Sequence, residues 1–69
     1  MSINNYQAII ESFEDAVIER RDMYRNEADC RRMLILGMLS DAQEEIRMGK
    51  RDNANYTINR VKIILDRCL

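Results

Sequence analysis

Apolar residues along this chain recur at intervals of three and four, the spacing that lines one face of a helix, and strand-type alternation is absent. A first line runs Tyr6, Ile9, Ile10, Phe13, Val17 and Tyr24, interrupted by Arg20. A second runs Ala28, Ile35, Leu39, Ala42 and Ile46, and a third Ala54, Ile58, Val61, Leu65 and Cys68. Ser2 or Asn4 suits the N-cap of the first helix. There is no proline, and the glycines are Gly37 and Gly49. Gly49 stands where a helix C-cap is expected, so 49–52 reads as a turn, with Asp52 or Asn53 capping a last helix over about 53–69.

The stretch from Tyr24 to Ala28 leaves two architectures open. Counted in heptads from Ile3, the core positions hold Tyr6, Ile10, Phe13, Val17 and Tyr24, but the same frame continued puts Arg31, Asp41 and Glu45 inside. The frame must therefore shift near Asn26. Arg25-Asn26-Glu27 contains neither Gly nor Pro, the usual residues of a reversal. The sequence favours a helical hairpin whose first arm is one long, kinked helix over about 4–48, breaking near 25–28; a small three-helix bundle is the alternative. Both are all-α and form one domain over 1–69. At 1.5 Å per residue the long arm would reach roughly 65 Å and the last helix about 25 Å. The stripe from Tyr6 to Tyr24 would then await another chain.

Residues 33 to 39 are apolar at every position except Gly37. A helix apolar all round needs more than one neighbour. Large apolar residues also stand off the main stripes: Ile18 among Glu11, Glu14, Asp15 and Asp22; Met33 and Leu36; and Tyr56 with Ile63 beside Arg60 and Arg67. They predict a second contact surface. A chain of 69 residues buries only about 60% of its unfolded surface, and small domains of this kind are commonly helped by oligomerisation. A coiled-coil-like homo-oligomer is expected, a dimer first. Its interface, or that with a protein partner, is expected to draw on Tyr6, Ile10, Phe13, Val17, Ile18, Tyr24, Met33, Leu36, Leu39, Tyr56 and Ile63.

Charge changes this picture in its orientation only. The net charge is −1, which gives no bulk attraction to nucleic acid or an anionic membrane. The first nineteen residues carry Glu11, Glu14, Asp15 and Glu19 without a base, whereas 47–69 carry six bases against Asp52 and Asp66. That asymmetry favours antiparallel or head-to-tail association, and it equally suits the end dipoles of solvated helices. Met1-Ser2-Ile3-Asn4-Asn5 lacks the positive segment and long apolar stretch of a signal peptide, and the longest apolar run is about a third of the ~20 residues needed to span a bilayer. A cytoplasmic protein outside the membrane is expected.

Candidate chemistry is sparse. Arg20, Arg21, Arg25, Arg31 and Arg32 fall within thirteen residues, and arginine forks suit phosphate. Arg20, Arg21 and Arg25 with Tyr24 as a stacking platform form a candidate phosphate or nucleotide site. The interleaved Glu19, Asp22, Glu27 and Asp29 suit intrahelical ion pairs instead. Cys30 and Cys68 read as small buried hydrophobes in a reducing compartment. With no histidine and no metal-ligand, phosphate-loop or triad spacing, the chain reads as a non-enzyme without metal or cofactor.

From Ala42 to Leu65 an amphipathic helix, a Gly-containing turn, a Tyr soon after and an Ile-Ile-Leu run follow in order. This stretch resembles the small helical-hairpin co-chaperones of type III secretion needle subunits. The resemblance implies a cytoplasmic helper that holds an aggregation-prone helical partner. The elements are generic to helical hairpins. The expected function is a self-associating, non-catalytic helical protein that binds another macromolecule as inhibitor, adaptor or co-chaperone; the alternative is a helical oligomer that captures a nucleotide or other phosphate ligand.

Overall fold

The computed structural model describes the backbone from Ser2 to Cys68 and the side chains from Tyr6 to Cys68. Met1 and Leu69, and the side chains of Ser2, Ile3, Asn4 and Asn5, lie outside the described residues. Three helices make up the chain: α1 (Ser2–Arg20), α2 (Glu27–Arg47) and α3 (Arg51–Arg67), with a 3-10 turn at Arg21–Met23 between the first two. No strand occurs among the described residues.

The chain reverses after α1, so the long arm is replaced by the three-helix bundle. The greatest extent of the molecule is 35 Å, far short of the arm a continuous helix would need. Asn26 makes the reversal without Gly or Pro. Its backbone is extended (φ −157°, ψ 174°), and its side chain accepts a 2.8 Å hydrogen bond from the Asp29 N–H. That satisfies one of the orphan donors at the start of α2. Glu27 and Asp29 put negative charge at the positive end of the helix.

The second turn is tighter than expected. Gly49 has φ +80°, a conformation that costs glycine little. The Lys50 N–H bonds back to the Glu45 carbonyl at 2.8 Å and the Gly49 N–H to the Ile46 carbonyl at 3.0 Å, the pairing of a Schellman cap. The motif closes so quickly that α3 starts at Arg51. Lys50 is its N-cap without a side-chain bond, and Asp52 lies in the first turn, so neither Asp52 nor Asn53 caps the helix.

The core gathers Phe13 and Val17 of α1, Cys30 and Ile35 of α2, and Val61 and Ile64 of α3. Ala42, Ala54 and Thr57 are also buried, nearer the α2–α3 turn. Ile9, Tyr24, Leu34, Met38 and Cys68 pack around the core. The buried faces of α2 and α3 are rotated from the predicted stripes. Leu39, Ile46 and Leu65 are exposed, while Cys30 and Ile64 are fully buried and Thr57 nearly so. The cause is polar residues that the core tolerates. Arg31 turns inward because Glu14 of α1 receives it, and half-buried Glu45 accepts a 3.1 Å hydrogen bond from the Thr57 hydroxyl.

Candidate functional site

Between α1 and α2 lies an open groove of about 370 Å³. Ser12, Phe13, Ala16 and Arg20 of α1 form one wall, and Met33, Leu34, Gly37, Met38 and Asp41 of α2 form the other. Tyr24 lines it from the connector, and Arg60 and Ile64 contribute from α3. Ser12 and Arg60 also line a second cleft with Ala8, Ile9 and Tyr56, so the depression continues along α1. Ala8, Ser12 and Ala16, four residues apart, give α1 a low side there. A β-carbon at Gly37 would meet nothing within 4 Å. No contact within the chain therefore calls for glycine at this helical position.

One ion pair fixes how α1 meets α2. Arg31 Nη1 and Nη2 donate to the two Glu14 carboxylate oxygens, both at 2.8 Å, and the guanidinium lies 5.8 Å from the Phe13 ring centroid. Glu27 adds a contact at 3.7 Å. The hydrogen bonds from Arg31 hold the Glu14 carboxyl below its ordinary pKa, against the opposing effect of burial. Arg31 is raised in turn by its hydrogen bonds to Glu14. Burial, then the Glu14 charge, pushes the neighbouring Cys68 thiol up. Cys68 is thus kept as a thiol, the unreactive form. Cys30 and Cys68 are both unpaired.

The predicted interface residues separate into groups. Phe13 and Val17 are in the chain's own core, because α1 folds back onto α2 and α3 rather than extending towards another chain. Ile10 and Ile63 are half-buried. Large fractions of Ile18 (58%), Met33 (42%), Leu36 (48%) and Tyr56 (60%) remain exposed, and Leu39 is exposed as well. Met33 joins Tyr24 in the groove, and Tyr56 lies in the adjoining cleft. Tyr6 and Ile63 meet in a separate crevice with Lys62, Asp66 and Arg67. Ile18 stands two residues from Ala16, about 200° round α1 from the groove wall. The single second surface expected from sequence is therefore several patches.

The arginine cluster is dispersed too. Arg21 pairs with Glu27 at 3.4 Å, Arg32 with Asp29 at 2.6 Å, and Arg31 with Glu14. Tyr24 packs against the core, Arg25 is exposed, and Arg20 stands at the groove. Among the described residues no group of three His, Cys, Asp or Glu could hold a metal ion, and no helix is long and apolar enough to cross a membrane.

Sequence could have signalled two of these features. Asn26-x-x-Asp29 before an apolar run is a helix start, and Gly37 within a helical pattern marks a position of special access. The groove itself depends on the angle between α1 and α2, for which sequence carries no local signal. Comparison with known protein families, curated proteins and solved structures returns no match for this chain.

Proposed function

We propose that the protein is a small, non-catalytic helical module that self-associates and acts by binding another macromolecule, in the manner of an inhibitor, adaptor or co-chaperone. The observation that carries this reading is the groove beside α1, where Phe13, Met33, Leu34, Met38 and Ile64 stand among Arg20, Asp41 and Arg60, with Gly37 open at its wall. Grooves of this kind receive an amphipathic helix, whose apolar face fills the space between two helices. Methionine suits such a surface because its unbranched side chain adapts to different occupants, and Met33 and Met38 both line it. Free thiols, one buried and one half-buried, suit a reducing compartment, the cytoplasm. Phosphate capture through Arg20, Arg21, Arg25 and Tyr24 has less support, since Arg21 is paired with Glu27 and Tyr24 packs against the core.

Immobilised protein is expected to retain a partner from an extract of its native source, and Gly37→Glu is expected to lose that partner while remaining helical. The β-carbon of the substituted residue enters open space, so the helix is expected to persist. A partner retained equally by Gly37→Glu, or a wild-type chain that retains nothing and stays monomeric at hundreds of micromolar, would overturn the reading. A nucleotide panel that raises the melting temperature would favour the phosphate alternative; a ligand at a hundred times its dissociation constant stabilises by about 2.7 kcal/mol.

A further inference from the structure

The two reversals of the chain are built differently. The α2–α3 turn is fixed by Gly49, at φ +80° inside its capping motif. The α1–α2 connector holds no such residue. Arg21, Asp22 and Met23 form a 3-10 turn, and the backbone is extended at Tyr24 and Asn26. None of the residues from Arg21 to Asn26 is glycine, proline or β-branched, so an α-helix can run through them at small cost. A 3-10 stretch within a helical run often marks a hinge.

The buried faces of α1 and α2 are in phase across this connector. Val17 and Ile35 are both buried, Tyr24 packs on the core and Ala42 is buried, and Phe13 and Arg31 meet in the α1–α2 contact. The members of each pair stand eighteen positions apart, five full turns at 3.6 residues per turn. Arg31 and Glu45, two of the residues that interrupt the heptad frame, are turned inward by Glu14 and Thr57. A single straight helix over 2–47 would therefore keep one inward face. It would span roughly 70 Å at 1.5 Å per residue, and its first half would leave its own α2 and α3.

A second copy restores what α1 gives up. Glu14 and Arg31 are equidistant from the midpoint between Asp22 and Met23. Two straightened chains related by a two-fold axis crossing there run antiparallel, with Glu14 of each level with Arg31 of the other. Each α1 takes the seat of the other. The Arg31 fork on Glu14, its place beside the Phe13 ring and the Cys30–Val17 contact then re-form between chains. The losses are local: the Asn26 cap, the exposed 3.4 Å Arg21–Glu27 pair and the bond from the Tyr24 N–H to the Arg21 carbonyl. Helical hydrogen bonds through the connector take their place. Exchange of an identical element is a low-cost route to a dimer.

We infer that the protein dimerises by exchanging α1 between two copies, with residues 21–26 as the hinge. The inference rests on the self-association part of the function proposed above and names the segment exchanged. Sedimentation equilibrium and circular dichroism test it on wild type, Glu14→Arg, Arg31→Glu, the two single variants refolded together from urea, and the double variant. Each single variant sets like charges together where α1 meets α2 and is expected to lose association roughly tenfold or more. In the exchanged dimer of the mixture, one half carries the reversed pair and the other the native pair. Helix content and association are therefore expected to return, even where each variant alone is unfolded. Without exchange each chain keeps its own like charges, and mixing restores nothing. A mixture that stays dissociated while the double variant associates would overturn the exchange and leave self-association through another surface, as would single variants that associate like wild type. If the double variant fails to fold, Asn26→Ala decides. It removes the cap and favours a helix through the hinge, so the dimer share at fixed concentration is expected to rise several-fold; an unchanged or lower share would overturn the exchange. Wild type that is monomeric at hundreds of micromolar would overturn both the exchange and the self-association reading.

Discussion

Arg31 occupies a position that a helix of this size would usually give to an apolar side chain, and it is tolerated because α1 meets it with a carboxylate and an aromatic face. Glu14→Gln keeps the shape and removes the charge. It is expected to lower stability by about 1 kcal/mol, between an exposed ion pair and a hydrogen bond to a charged group. The pH dependence has a definite sign. Glu14 titrates below its ordinary value of 4.5 in the folded chain, so its contribution is present above that value and lost as pH falls through the folded one. Urea midpoints of wild type and Glu14→Gln should differ at pH 7 and converge under strong acid. Gly37 makes the opposite case at the same scale. A helical glycine costs about 1 kcal/mol relative to alanine, and a β-carbon there meets nothing. Gly37→Ala is therefore expected to raise the melting temperature by about 4–8 °C. A lowered melting temperature would show that this open side is occupied in the native assembly.

At the scale of the element, the helices were legible in sequence to different depths, for identifiable reasons. Gly49 was readable as a C-cap because only a residue at ease with positive φ ends a helix in that way. The reversal at Asn26 was not, because a capping side chain and two extended backbones do the work that Gly or Pro usually does. Asn26→Ala should cost about 1 kcal/mol and Asn26→Asp much less, measured by chemical denaturation. Equal loss in both would mean that the cap contributes nothing. The rotated faces of α2 and α3 have a different origin. Arg31, Glu45 and Thr57 look solvent-facing when each helix is read alone, and become inward-facing once Glu14 and each other are supplied as partners. Tertiary partners are what a one-dimensional pattern leaves out. The candidate groove shares that fate: Met33 and Leu34 could be flagged as an apolar run, but the gap beside them follows from the angle of α1.

For the whole molecule, the acidic first third and basic last third are not joined by ion pairs among the described residues: Glu14 of α1 pairs with Arg31 of α2, and α1 meets α3 through Arg67, which lies over the Tyr6 ring at 5.8 Å. The radius of gyration is 12.5 Å, against about 11 Å for a compact chain of this length, and the extents of 35 × 29 × 17 Å show a flattened rather than spherical bundle. A core of six buried residues from three helices with large exposed apolar side chains around it gives a fold whose stability should depend on association. That dependence can be read from thermal unfolding alone. If the native species is a dimer and the unfolded species a monomer, each tenfold rise in concentration stabilises the dimer by about 1.4 kcal/mol, roughly 0.7 per chain. With an unfolding entropy near 2.1 cal/mol/K per residue, the melting temperature should climb about 5 °C per tenfold. Circular dichroism melts across two decades of concentration should therefore separate by about 10 °C. Superimposed melts would mean that the three helices stand on their own core, and that the apolar residues left outside serve a partner other than a second copy.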